Sequence, residues 1–126
     1  MPLLQTVGNQ PEHYQDAHLF LDFQRKTAAL DLERMRLTRK EYELLALLVQ
    51  NAGEIVARED LLQRIWGYSN QIRTRTLDVH IRRLRRKLGE HAELYIETIF
   101  GIGYRFQPYR AHVLPRPMMP AYAMGA

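Results

Sequence analysis

Hydrophobic residues recur at every second position near the start of the chain. In residues 18–24 (HLFLDFQ), Leu19, Leu21 and Phe23 share one face and alternate with Phe20 and Asp22 on the other, which is the period of a β-strand. Shorter apolar runs at residues 28–32 and 35–37 predict two partner strands, separated by a polar turn. The pattern therefore predicts a small antiparallel sheet at the front of the domain.

From Thr38 the period changes to that of an α-helix. The Thr38 hydroxyl can accept a hydrogen bond from a free backbone amide, and Glu41, three residues later, completes a capping box. Residues 42–49 then give a broad apolar face, and Gly53 stands where a left-handed C-terminal cap is expected. A second, shorter helix is predicted over residues 58–65.

A third helix is predicted over residues 74–88, and its two faces differ. At about 100° per residue, four apolar side chains fall within about 60° of one another and form a narrow inward seam. These seam residues are Leu77, Ile81, Leu84 and Leu88. The opposite face carries Arg75, Val79, Arg82, Arg83 and Arg86. Thr76 and Arg85 flank that face on either side.

Two β-rich runs follow, at residues 95–99 and 104–106. Phe100, Gly101, Ile102 and Gly103 join them, and the two glycines are expected to supply the positive φ angles of a tight hairpin. The sequence thus predicts two short helices, a long basic helix and a β-hairpin, in that order.

The remaining segments are predicted to be loops or tails. Residues 67–73 have turn chemistry and are interpreted as an exposed loop. The polar residues 1–17 are interpreted as a flexible linker or arm, and residues 108–126, with four prolines, as a disordered tail. The sequence therefore predicts one folded domain over residues 18–107.

Composition narrows the class of protein. A chain of 126 residues fits one domain, and its longest apolar run, residues 44–49, is far shorter than the roughly 20 residues that cross a bilayer. The absence of cysteine excludes disulfides and thiolate metal sites. Residues 1–10 contain no Lys or Arg and lack the apolar core of a signal peptide. We therefore expect a cytoplasmic protein that does not contact a membrane.

Positive charge is concentrated in one segment. The whole chain has 18 Lys and Arg against 14 Asp and Glu, a net charge of +4. Residues 71–88 hold seven basic residues and one acid, Asp78, so this segment carries +6 and the remainder −2. A focused basic helix is typical of a nucleic-acid binder. The alternative, a solvated helix face, would interleave acids that form i,i+4 ion pairs, and this face scarcely does.

An outward face of arginines around a small apolar residue suits the major groove of DNA. Arginine can donate two hydrogen bonds to guanine, and the methyl groups of Val79 or Thr76 can meet the methyl group of thymine. Further arginines would bind phosphates and set the register. Because two helices precede the basic helix and a hairpin follows it, the order is that of a winged helix-turn-helix, an α+β fold. The predicted partner is double-stranded DNA.

Catalytic and metal-binding chemistry has no support in the linear sequence. The only serine, Ser69, has no histidine near it in sequence. The five histidines show neither an i,i+4 pair nor metal-ligand spacing; they are His13, His18, His80, His91 and His112. We therefore expect no enzyme activity, no metal site and no cofactor. Two alternatives stay open: a winged helix whose basic face binds an acidic protein, and one that binds RNA, although the sequence offers no platform of aromatic residues for base stacking.

Five motifs occur in order along the chain. They read LTRKEYELL at 37–45, REDLL at 58–62, WG at 66–67, RTLDVHIRRLRRKL at 75–88 and GIGYRF at 101–106. Together they closely resemble the C-terminal DNA-binding effector domain of OmpR/PhoB-family response regulators, over residues 19–107. The resemblance implies a four-stranded N-terminal sheet, three helices, a C-terminal hairpin called the wing, and a role in transcription regulation within a two-component system.

The resemblance also implies site residues and partners. The helix positions that match DNA contacts in the family are Arg75, Thr76, Val79, Arg82, Arg83 and Arg85. The rest of the basic segment and the wing add the candidates Arg73, His80, Arg86, Gly101, Tyr104 and Arg105. The loop over residues 67–73 matches one that faces RNA polymerase or a neighbouring protomer, and two protomers are expected head to tail on tandem DNA repeats.

The sequence departs from the family pattern at three points. The wing position that is usually an arginine reaching the minor groove is Phe100, so the wing of this chain lacks the side chain that contacts the minor groove in the family. Ala57 stands where a Ser or Thr usually precedes the second helix, which removes an N-cap worth about 1 kcal/mol. A receiver domain, through which a sensor kinase would act, has no counterpart in the sequence. The expectation is an excised effector domain whose residues 1–17 include the natural linker, and the alternative is a stand-alone regulator.

Overall fold

The computed structural model describes residues 12–67 and 74–110. Its strands are β1 (His13–Gln15), β2 (Leu19–Asp22), β3 (Thr27–Leu30), β4 (Glu33–Arg34), β5 (Ile55–Ala57), β6 (Ile96–Ile99) and β7 (Gly103–Phe106). Its helices are α1 (Arg39–Gln50), α2 (Arg58–Trp66), α3 (Thr74–Leu88) and the short α4 (Ala92–Tyr95), which follows a 3₁₀ turn at Gly89–His91. The predicted α+β class, with a small antiparallel sheet, three main helices and a C-terminal hairpin, is confirmed.

The N-terminal sheet contains one strand that the hydrophobic pattern missed. Its four antiparallel strands lie in the order β1-β2-β3-β4, and Tyr14 of β1 pairs with Leu21 of β2. The prediction of a flexible arm over residues 1–17 is therefore wrong for residues 13–15. Three residues carry too little pattern to be recognised, and they form a strand because the edge of β2 offers them backbone hydrogen bonds.

The last strand of this sheet lies two residues earlier than the pattern indicated. A strand was predicted over residues 35–37, but β4 occupies Glu33–Arg34. Asp31 and Leu32 have positive φ angles of 50° and 71°, so they form a tight turn that reverses the direction of the chain directly after β3. Met35 is apolar because it enters the core, where it is 9% exposed, and not because it belongs to a strand.

A second sheet joins the helices to the wing. Its strands lie in the order β5-β7-β6, and Val56 of β5 pairs with Tyr104 of β7. The sequence predicted the hairpin of β6 and β7 but not β5, because a three-residue strand between two helices has no periodicity of its own. Tyr95, predicted to begin the hairpin, ends α4 instead.

The sequence predicted the N-terminal cap of α1 correctly but not its C-terminal cap. At its start the capping box is confirmed: Glu41 N–H donates to Thr38 Oγ1 at 3.1 Å, and Thr38 N–H donates to Glu41 Oε1 at 2.9 Å. At its end the C-cap is Asn51, and Gly53 lies two residues further on with φ +85°. Its N–H donates to the Phe106 carbonyl oxygen at 2.8 Å, so Gly53 fastens the chain to β7 rather than capping the helix.

The start of α2 has no side-chain cap. Ala57 occupies the N-cap position and provides no hydrogen bond, as the sequence predicted. Glu59 and Asp60 in the first turn place negative charge where the helix dipole favours it, and α2 ends at Trp66, one residue after the predicted end.

One hydrophobic core lies beneath both sheets. Side chains of the N-terminal sheet, the three main helices and the wing meet in it with essentially no exposed surface; the largest include Leu19, Leu21, Leu44, Leu45, Leu48, Leu61, Leu84, Tyr95 and Phe106. Because α3 packs against both α1 and α2, the orientation of the basic helix is set by the core.

Asp16 ties the N-terminal sheet to the C-terminal part of the fold. Its carboxylate accepts hydrogen bonds from the Tyr14 hydroxyl at 2.5 Å and from the Tyr95 hydroxyl at 2.6 Å. It also accepts from the N–H of Tyr109 at 3.1 Å. The prediction of a disordered tail from residue 108 is therefore wrong for residues 108–110, and residues 111–126 lie outside the described part of the chain.

Two carboxylates have pKa values held below their ordinary ones. Burial raises the pKa of Asp16, but hydrogen bonds from Tyr14, Tyr95 and backbone amides lower it by more. Burial likewise raises the pKa of Glu41, while the Lys87 ammonium, 2.6 Å away, and the Thr38 N–H lower it by more. Both groups therefore favour the folded state in their ionised form.

Through these two groups, the free energy of unfolding should decrease in the acid range. Because these pKa values are lower in the folded state, the stabilisation is complete above the ordinary values of 3.8 and 4.5 and is lost as the pH falls through the lower folded values. Urea unfolding at pH 7 and at pH 3 measures the loss. The stability difference between the wild-type chain and Asp16→Asn should be larger at pH 7 than at pH 3; an equal difference at both would contradict the assignment.

Candidate nucleic-acid interface

The inward seam of α3 is placed as predicted. Leu77, Leu84 and Leu88 are fully buried and Ile81 is 2% exposed. These four side chains fix the rotation of the helix about its own axis, because turning any of them outward would expose a large apolar surface.

The opposite side of α3 presents arginines to solvent. The exposed side chains are Arg75, Arg82, Arg83 and Arg86, while Val79 and Thr76 are half-buried beside them. No ion pair joins these four arginines to a carboxylate within residues 12–67 and 74–110. Lys87 and Asp78, in contrast, are paired with Glu41 and Arg58. The uncompensated positive charge of α3 therefore lies on its outward face.

His80 is held at the border between seam and outward face. Its Nδ1 lies 2.9 Å from the Thr76 carbonyl oxygen one turn earlier, and its half-buried ring packs edge-on against Trp66 with the centroids 4.9 Å apart. These contacts give His80 a packing role between α2 and α3.

The junction between α3 and the wing is built around Tyr104. The Tyr104 side chain is only 4% exposed, and its hydroxyl donates to Asp78 Oδ1 at 2.9 Å. Arg58 Nη2 donates to the same oxygen at 2.6 Å. Burial raises the pKa of Tyr104, and its hydrogen bond to Asp78 raises it further, so the hydroxyl remains a donor. This arrangement joins the start of α2, the first turns of α3 and strand β7.

Arg85 belongs to the same junction. Its guanidinium donates to Thr98 Oγ1 at 2.7 Å and to the Ile96 carbonyl oxygen at 2.9 Å, both on β6. Its Cζ lies 5.8 Å from the centre of the Tyr104 ring, within the range of a cation–π contact. Arg85 and Tyr104, both predicted to contact DNA, thus have their polar groups bound within the protein.

Arg58 and Asp78 are positioning residues that the sequence analysis did not find. One signal was present: Asp78 is the single acid in a basic segment. Without the fold, nothing showed that its partners would be an arginine 20 residues earlier and a tyrosine 26 residues later.

The wing presents an apolar tip. Phe100 is 89% exposed, Ile102 is 50% exposed, and Gly101 between them has φ +79°. Gly103 has no positive φ, so the prediction that both glycines supply one is wrong for Gly103. Arg105, further along the wing, is held by Glu97 on the neighbouring strand, with Nη2 and Oε1 2.8 Å apart. Arg73 and the rest of the loop over residues 68–73 lie outside the described part of the chain.

Three helices with a basic outward face on the third, followed by a β-hairpin, define a winged helix-turn-helix protein. Residues 32–106 match the family described as "Transcriptional regulatory protein, C terminal". The chain belongs to this family, the C-terminal effector domains of OmpR/PhoB response regulators.

Relatives and solved structures agree with this assignment. The probable transcriptional regulator ycf27 of Cyanophora paradoxa is 42% identical over 110 residues, which cover 84% of this chain and 46% of that protein. The response regulator DrrB of Thermotoga maritima superposes with a TM-score of 0.73 at 32% identity, covering 81% of this chain and 47% of DrrB. The DNA-binding domain of Klebsiella pneumoniae RstA, solved with the RstA box, gives 0.71 at 30% identity, covering 79% of this chain and all of that one.

The chain is shorter than the relatives it matches. It spans less than half the length of ycf27 and of DrrB. Within the described residues, no helix is both long and apolar enough to cross a membrane.

Proposed function

We propose that this protein binds double-stranded DNA sequence-specifically, with α3 in the major groove, and so regulates transcription. The observation that carries the proposal is the outward face of α3, where Arg75, Arg82, Arg83 and Arg86 are exposed and form no ion pair with any carboxylate of residues 12–67 and 74–110. The buried seam fixes the rotation of α3, so that this face points away from the core. The RstA DNA-binding domain, which superposes on this chain, was solved in complex with its box, and this supports DNA binding by the same fold.

The four exposed arginines divide into two roles in this proposal. Arg82 and Arg83, one turn beyond Val79, are placed to reach base edges, where arginine donates to guanine O6 and N7. Arg75 and Arg86 bind phosphates and set the register. Arg73 joins the phosphate-binding set, and Thr76 and Val79 supply the apolar contact with thymine.

The junction residues act indirectly. Arg85 and Tyr104 hold the wing against α3, so they position the interface instead of contacting DNA. His80 has the same supporting role against Trp66. At the wing, the backbone of Gly101 and the side chain of Arg105 remain candidates for contact with the DNA backbone, with Arg105 restrained by Glu97.

The decisive experiment measures how salt and single arginines affect binding to a site selected from genomic fragments. If four to six phosphates are neutralised, the logarithm of the binding constant should fall with the logarithm of salt concentration at a slope of roughly −4 to −5. Arg82→Ala or Arg83→Ala should weaken binding to the selected site by about 1–3 kcal/mol and relax preference at one or two base pairs. Fluorescence anisotropy gives both quantities.

Arg25→Ala is the matched control, because Arg25 is an exposed arginine in the turn between β2 and β3. The affinity of this variant for the selected site, and the slope of its salt dependence, should equal those of the wild-type chain. Arg75→Ala should weaken all sequences alike and flatten the slope by about one unit. A slope near zero, or unchanged affinity in both Arg82→Ala and Arg83→Ala, would reject DNA binding by α3. In that case, tight binding to an acidic protein would favour the alternative of a winged helix whose basic face binds an acidic protein.

The proposal extends to partners of the longer regulator. Two protomers bind head to tail on tandem repeats, the loop over residues 67–73 contacts RNA polymerase, and a sensor kinase acts through a receiver domain outside this chain. The effector domain itself carries out no reaction, and it acts in the cytoplasm. The support is the chain's place in the response-regulator family and its length relative to DrrB.

A further inference from the structure

Three side chains distant in sequence meet at the surface beside the N-terminal sheet. His18 precedes β2, Asp31 lies in the turn between β3 and β4, and His91 ends the 3₁₀ turn after α3. His18 Nδ1 lies 2.5 Å from Asp31 Oδ1, and His91 Nε2 lies 3.0 Å from Asp31 Oδ2. The two imidazole rings stack with their centroids 4.2 Å apart. The fold therefore directs one nitrogen of each ring toward the same carboxylate.

The surroundings hold this group in place. The Tyr109 ring packs edge-on against His18, with centroids 4.6 Å apart, and the His91 side chain is only 12% exposed. Glu90 Oε2 lies 4.0 Å from His91 Nε2 and adds a second carboxylate near the cluster. The Asp31 backbone has φ 50°, a left-handed conformation that is rare outside glycine, asparagine and aspartate. Both histidines bond to the side chain of this residue.

These atoms form a donor set suited to a transition-metal ion. One nitrogen from each histidine and a carboxylate oxygen all lie within 4.8 Å of one another. Two imidazoles with one carboxylate are typical ligands of Zn²⁺, which binds nitrogen at about 2.0–2.1 Å. Mg²⁺ and Ca²⁺ prefer oxygen ligands only, so nitrogen donors select against them.

We propose that His18, Asp31 and His91 form a binding site for a zinc-type divalent cation. The ion takes His18 Nδ1, His91 Nε2 and one Asp31 oxygen, and it replaces the hydrogen bonds that join them in the metal-free protein. The linear sequence predicted no such site, because 13 residues separate His18 from Asp31 and 60 separate Asp31 from His91.

A bound ion would connect three parts of the fold. It would link the start of β2, the turn between β3 and β4, and the segment that follows α3. Because an ion that binds the folded state alone stabilises it by mass action, the metal should raise the melting temperature of the domain.

Calorimetric titration with ZnCl₂ and thermal unfolding, with and without zinc, test the proposal on the full chain. The expected results are one equivalent of bound zinc and a higher melting temperature, whereas MgCl₂ has neither effect. His18→Gln and His91→Gln should each abolish the zinc-dependent rise. Asp31→Asn should weaken zinc binding about tenfold or more, while the asparagine keeps the left-handed turn that aspartate adopts.

Two other histidines provide the controls. His13→Gln, in β1, and His112→Gln should bind zinc as the wild-type chain does. Zinc binding that survives both His18→Gln and His91→Gln, or a wild-type chain that binds no zinc at about 0.1 mM, a concentration typical of weak sites, would overturn the proposal. In the second case the three residues are only an ion-paired hydrogen-bond network, and their substitution would lower the metal-free melting temperature alone. Neither outcome depends on DNA binding.

Discussion

Replacing Leu84 by alanine should lower the free energy of unfolding by about 2–5 kcal/mol. Leu84 lies in the middle of α3 and is fully buried. The substitution removes apolar contacts and leaves a cavity that the surrounding helices can only partly fill. Ile81 belongs to the same seam and is 2% exposed, so Ile81→Ala should lower the free energy of unfolding by a similar amount. Urea unfolding followed by circular dichroism measures both changes.

Arg82→Ala is the matched control on the opposite side of the same helix. Because Arg82 is exposed, the free energy of unfolding should change by less than about 0.5 kcal/mol. If Arg82→Ala unfolds the domain while Leu84→Ala leaves it intact, then the rotation of α3 is wrong, and with it the proposed interface.

Gly103→Ala should destabilise the fold by about 3 kcal/mol, near the upper end of the usual cost of overpacking. A Cβ at this position would lie 2.0 Å from the Val56 carbonyl oxygen and 2.9 Å from Ala57 Cα. Both are backbone atoms of β5, so a side-chain rotation cannot relieve the clash. Strands β5 and β7 would have to separate, which would detach the wing from the start of α2. Thermal and urea unfolding measure the loss.

Gly101→Ala separates this steric effect from backbone strain. Gly101 has φ +79°, and a Cβ there would meet no atom within 4 Å. The only cost is the left-handed conformation, about 1–2 kcal/mol. An equal loss in both variants would mean that the close approach of β5 is not what requires Gly103.

These predictions share a structural reason, because the proposed interface depends on side chains that lie behind its exposed arginines. The seam sets the direction of the arginines, and the contacts of Tyr104 with Asp78 and of Arg85 with Thr98 hold the wing against α3. A change in these supporting side chains would displace the whole proposed interface, whereas Arg82→Ala would remove one proposed DNA contact and leave the others.

Local patterns in the sequence were enough to predict the three main helices and the direction of α3. Helical periodicity predicted α3 over its full length, Thr74–Leu88, and its four apolar positions all became buried. The capping box at Thr38 was also predicted correctly. These features depend on residues within about four positions of one another, which a linear pattern records directly.

Features that join distant segments depend on how the chain folds. β5 is a strand because β7 lies beside it, and β1 because β2 does. Arg85 and Tyr104 were predicted from the sequence to contact DNA, and the fold adds that they hydrogen-bond to Thr98 and Asp78 within the protein. Likewise His18 and His91 meet at Asp31 only after the chain has folded. Periodicity shows whether a residue faces the core. Hydrogen-bonding partners and metal ligands depend on distances between segments, and the linear sequence does not contain those distances.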